Sequence, residues 1–64
     1  MQLTEIKPAI ANRIIVSYKG TDYYVTGCIA RLQDSEWIYQ LELHDLKANS
    51  VTIAKMNEVE IKGE

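Results

Sequence analysis

The sequence has no phenylalanine, and only one cysteine, one histidine and one proline. Each scarcity removes a class of structure or chemistry. Cys28 has no second cysteine to bridge to within the chain, and together with His44 it falls short of the four ligands of a structural zinc site. No cofactor is expected from such a set. No apolar run approaches the roughly 18–20 residues that cross a bilayer as a helix, and Met1-Gln2-Leu3-Thr4-Glu5 lacks the basic-then-apolar layout of a secretory signal. A cytoplasmic protein without a membrane partner is therefore expected, in the kind of compartment where a free thiol persists. A basic excess is also missing: seven Lys/Arg stand against nine Asp/Glu, for a net charge of −2. Binders of duplex DNA draw their affinity from neutralised phosphates and released counterions, so duplex DNA is excluded as a partner.

What is present is a globular balance, 47% hydrophobic and 25% charged residues, with no run of like charge and no low-complexity segment. The 64 residues form one domain, 1–64, with neither an internal repeat nor a linker. A chain this short buries only about 60% of the surface it exposes when unfolded. Small cores usually need a disulfide, a metal or subunit association to supplement them. With the first two excluded, a homo-oligomer is expected.

Residues 3 to 12 read as a short helix, with Leu3, Ile6 and Ile10 on one face, Thr4 as a candidate N-cap, and Pro8 placing the start nearer Lys7. From Arg13 the composition turns to β-formers. Arg13 to Tyr18 and Tyr23 to Leu32 read as a hairpin around Lys19-Gly20-Thr21-Asp22, and Gly27 marks a bulge or bend within the second strand. After Gln33-Asp34-Ser35, the segment Glu36 to His44 alternates. Trp37, Tyr39, Leu41 and Leu43 share the face expected to be core. A polar loop, Asp45 to Ser50, leads to a short strand, Val51 to Ile53, with Val51 and Ile53 on one side. A turn at Lys55-Met56-Asn57 and a last strand, Glu58 to Ile61, complete the order, and Lys62-Gly63-Glu64 reads as a frayed end. The expected fold is mainly β: a five-stranded small barrel behind a short N-terminal helix.

Arg13 to Tyr18, Lys19-Gly20, Val25-Thr26-Gly27-Cys28-Ile29, Leu32-Gln33-Asp34 and Val51 to Ile61 carry a pattern that resembles the Sm-like barrel, with Tudor-like barrels as kin in shape. Within that group it looks nearest to the small YolD-like proteins of Gram-positive bacteria and their phages. Two departures stand out. Where Sm proteins place a base-reading Asn after an Asp-containing turn, this sequence has Asp34-Ser35-Glu36-Trp37-Ile38, and the stretch before the last strand is Ala54-Lys55-Met56-Asn57 instead of carrying an Arg-Gly pair. The resemblance thus implies a barrel that associates through its edge strands, without the residues that read uridine-rich RNA.

Catalysis needs a nucleophile or acid with a partner in reach and a shaped pocket, and the one suggestive pair, His44-Asp45, points to opposite faces of a strand. The chain is not expected to be an enzyme. Cys28 is expected to pack as a small hydrophobe. The candidate chemistry lies in Tyr18, Tyr23 and Tyr24, which offer stacking surfaces with a polar tip, and in Arg13, Arg31 and Lys55, which hold phosphate or carboxylate. Tyr23 and Tyr24 must face opposite sides, so one is expected near solvent or an interface, with Tyr18 as its neighbour. Two functions follow as expectations. The first is a non-catalytic oligomeric module that binds or sequesters a small nucleotide or short RNA at its subunit interfaces, as a phage or mobile-element protein would. The second is an adaptor or inhibitor that binds a host protein.

Overall fold

The computed structural model describes residues 1–62. It is mainly β: helix α1 (Leu3–Ala11) is followed by strands β1 (Ile15–Tyr18), β2 (Thr21–Gln33), β3 (Glu36–Asp45), β4 (Val51–Lys55) and β5 (Glu60–Ile61), with a 3-10 turn at Met56–Glu58. The frayed end expected at 62–64 lies outside the described residues except for Lys62. That residue is held: its N–H donates to the Ile15 carbonyl at 3.0 Å, and its ammonium pairs with Asp22.

The helix begins earlier than Pro8 suggested. Gln2 occupies the cap position, its N–H donating to the Glu5 carboxylate at 2.7 Å, while the Glu5 N–H donates to the Gln2 carbonyl at 2.9 Å. Pro8 sits inside the helix, which is short enough to tolerate the one backbone bond that proline cannot donate. The helix ends at Asn12, and Arg13 takes a positive φ of 50°, so the chain turns there before β1 starts at Ile15.

All neighbouring strands pair antiparallel in the order β4-β3-β2-β1-β5. Strands joined only by a 3-10 turn, β4 and β5, are thus the two edges of the sheet. Laid flat, four strand spacings of about 4.8 Å would hold them about 19 Å apart, so the short link forces the sheet to curl. It is curled but not closed. Among the described residues β4 and β5 do not pair, so "barrel" describes the sheet only loosely.

The concave side holds the core: Ile6 and Ala9 from α1, Val16, Tyr23, Val25, Leu41, Leu43, Ala54 and Val59. Met1 and Met56 pack at its margin, and the Met1 ammonium donates to the Val59 carbonyl at 2.5 Å. The inward set on β3 confirms its alternation, with one correction. Leu41 and Leu43 are fully buried, whereas Trp37, on the same face, is 61% exposed. The cover ends too soon: β4 pairs no further along β3 than Gln40, leaving the tip of the β2–β3 hairpin to project alone.

The bulge falls one residue before the glycine. Val25 pairs with Leu43 and Gly27 with Glu42, so Thr26 is the extra residue, and its hydroxyl donates to the Glu42 carboxylate at 2.8 Å. A Cβ placed on Gly27 would meet Glu42 at an ordinary 3.5 Å, so the bend does not require glycine there.

Both hairpins close through tight two-residue turns with positive φ at each position: Lys19 (50°) with Gly20 (80°), and Asp34 (51°) with Ser35 (67°). Left-handed backbone costs a residue with a Cβ about 1–2 kcal/mol, and Asp-Gly or Asn-Gly is the pairing such turns favour. Ser35→Gly is therefore expected to stabilise the fold by about 0.5–1 kcal/mol, read as a rise of a few degrees in Tm. A drop in Tm would show that the Ser35 conformation is not strained.

Candidate functional site

The pairing register sorts every strand residue onto one of two faces. Opposite the core, on the convex side, lie rows that run across the strands: Ile15–Tyr24–His44–Val51, then Glu42–Ile53, then Ile29–Gln40–Lys55, then Arg31–Ile38. A sheet face turned to water is ordinarily polar. Here it is not. Ile15, Ile29, Val51 and Ile53 are all more than a third exposed, and Val51 reaches 58%. The β4 sequence Val51-Thr52-Ile53-Ala54 explains the inversion locally: the narrow interior beside Leu41 takes Ala54, so the bulky β-branched residues on alternate positions face outward.

Cations border this apolar band. The Arg13 guanidinium lies 5.0 Å over the Tyr24 ring, a favourable placement on the negative face of the ring. Arg13, Tyr24 and His44 share a shallow cleft with the β3–β4 loop, which brings in Lys47. That loop is tied by Asp45, whose Oδ1 accepts the N–H groups of Lys47 at 2.8 Å and Ala48 at 3.2 Å, while the Asp45 N–H donates to the Ser50 carbonyl at 3.1 Å. At the far end of the band stand Lys55 and Arg31.

The six residues singled out by sequence therefore divide. Arg13 and Tyr24 meet directly, and Arg31 and Lys55 share their face two or more rows away. Tyr18 and Tyr23 belong to the other side, their ring centroids 6.4 Å apart, with the Lys19 ammonium 5.3 Å over Tyr18. Tyr23 is the buried member of the tyrosine pair, so Tyr18 neighbours it and not the more open Tyr24, contrary to expectation. The Tyr23 ring is part of the core. Cys28 also departs from expectation: it is exposed, because α1 leaves a groove above it that Leu3, Ile6 and Ile10 line.

Sequence reasoning missed Ile15, Ile29, Val51 and Ile53 as surface residues. The unbroken Ile14-Ile15-Val16 run carried a signal, since a strand with one wet face should alternate. Among the described residues no three His, Cys, Asp or Glu side chains gather as a metal site. Nor, among the described residues, is any helix long and apolar enough to cross a membrane. No family model, curated protein or solved structure matches the chain.

Proposed function

We propose that this chain is a non-catalytic protein-binding module, an adaptor or inhibitor, whose working surface is the convex face of the sheet. The observation behind it is the exposed band of Ile15, Ile29, Val51 and Ile53, which gains nothing in the isolated chain and loses contact with water when another apolar surface covers it. The border selects the partner. That border carries both signs: Arg13, Lys47, Arg31 and Lys55 share the face with Glu36, Glu42, Glu60 and the Lys62-paired Asp22, so the complementary surface is an apolar patch with a rim of mixed charge, its carboxylates opposite the Arg13–Lys47 end. A cytoplasmic setting fits the exposed free thiol of Cys28.

Ile53→Glu tests the reading. Position 53 is 46% exposed but stands opposite Glu42, so the like charge and the lost apolar area should cost the fold about 1 kcal/mol and leave it folded. The partner retained on gentle purification and weighed by native mass spectrometry should be lost, and wild-type binding should weaken as salt rises. Retention of the partner by folded Ile53→Glu protein overturns the proposal.

A second reading rests on Arg13 stacked over Tyr24 beside His44 and Lys47: a cleft for a phosphate-bearing ligand such as a small nucleotide or short RNA. Titration with ADP is its probe. Shifts of the Tyr24 and Lys47 amide signals that vanish in Arg13→Ala support it, and unmoved signals refute it.

A further inference from the structure

Strand β2 outruns the strand on its β1 side. β1 covers it only from Thr21 to Tyr24, so from Gly27 to Gln33 it is bonded to β3 alone. Every residue from Cys28 to Gln33 is exposed. The other free edges among the described residues are shorter, β4 at five residues, the β3 tip from Glu36 to Tyr39, and β5 at two. Folded proteins blunt such edges with proline, lysine or a covering element. Along this one only Arg31 carries charge.

The inner face of the same stretch presents a knob and a groove. Cys28 pairs with inward Leu41, so Cys28, Ala30 and Leu32 point to the concave side. At the Cys28 end lies the groove lined by Leu3, Ile6 and Ile10. Four residues along, about 13 Å away, Leu32 faces Trp37 across the hairpin, 64% and 61% exposed. The knob stands too far along the strand to fill the groove of its own chain.

We propose that two copies of this chain pair antiparallel through the free β2 edge, about a two-fold axis at Ala30. In that register Cys28 stands opposite the partner's Leu32, Ala30 opposite the partner's Ala30, and Arg31 opposite the partner's Ile29. Each Leu32–Trp37 knob then lies over the groove of the other copy, and the two sheets become one. Neighbouring registers are worse. Moving the axis to Arg31 sets two arginines directly opposite each other, and moving it to Ile29 sets Leu32 against the bulge at Thr26. Leu3, Ile10, Leu32 and Trp37 expose on the order of 400 Å² per copy, about half of what a standard interface buries on each partner, and the paired edge with its flanking side chains supplies the remainder. This contact uses the concave side and the hairpin edge. It leaves the convex face free, so it stands or falls apart from the binding function proposed above.

Sedimentation velocity on the full chain tests it. The wild-type chain should run as a dimer, and so should Ile53→Glu. Leu32→Glu, at a position the folded monomer leaves open, should keep its far-UV spectrum and weaken association by about thirtyfold or more, the size of an interface hot spot. Mild oxidation of Cys28→Ser/Ala30→Cys should give a covalent dimer, and of Cys28→Ser/Asn57→Cys should not. A monomeric wild-type chain, an undisturbed Leu32→Glu dimer, or cross-linking through position 57 in place of position 30 overturns the proposal.

Discussion

Leu41→Ala is expected to lower the unfolding free energy by about 3–4 kcal/mol, measured by urea titration of the far-UV signal. A chain of this length holds roughly 3–10 kcal/mol in total, so the variant should be substantially unfolded or close to it at physiological temperature. Leu41 is fully buried on the central strand of the β2–β3–β4 part of the sheet. Its cross-strand neighbours are Cys28 on one side and Ala54 on the other, both small. Neither can expand into the space that three missing carbons leave, so the cavity term adds to the lost transfer energy. Leu43, by contrast, sits between Val25 and Thr52, and Leu43→Ala should cost less. A loss under about 1 kcal/mol for Leu41→Ala would mean that water already reaches this rung and that the core is smaller than the buried set implies.

The same rung shows what the sequence could and could not disclose. Alternation placed Trp37, Tyr39, Leu41 and Leu43 on one face, and that is where they lie. It carries no information about where the cover over that face ends. The cover depends on how far β4 and α1 reach along the hairpin, a tertiary matter that separates buried Leu41 from exposed Trp37. The bulge has a similar effect. Thr26 shifts the phase of β2 by one residue, so Tyr23 and Val25 face inward before it and Cys28, Ala30 and Leu32 after it. Gly27 pointed to the right neighbourhood, yet the hydrogen bond that fixes the extra residue belongs to Thr26 and Glu42. Of the candidate site, the stacking of Arg13 on Tyr24 was legible only as a list of residue types. The turn at Asn12 and Arg13 that swings the guanidinium back over the ring has no local sequence signature.

Tyr23→Ala and Tyr24→Ala should separate fold from function. The two tyrosines are adjacent, and β-geometry sends them to opposite faces. Tyr23, 9% exposed, pairs with Val16 inside the core and leans on Tyr18. Its removal should cost about 3 kcal/mol or more of stability, as for other large buried rings, and any loss of binding should follow from the unfolded fraction alone. Tyr24 lies in the convex row between Ile15 and His44 with Arg13 above it. Tyr24 is half-buried, so its removal forfeits part of its packing together with a cation–π contact, about 1–2 kcal/mol in all, and the fold should survive where that of Tyr23→Ala does not. The surface beneath Arg13 is then gone, and the guanidinium loses the ring that orients it toward an incoming carboxylate. Binding through the convex face should fall about tenfold or more at equal folded fraction, with a smaller fall in urea midpoint than Tyr23→Ala shows. The opposite pattern, an unfolded Tyr24→Ala or a binding loss confined to Tyr23→Ala at equal folded fraction, would place the working surface on the concave side.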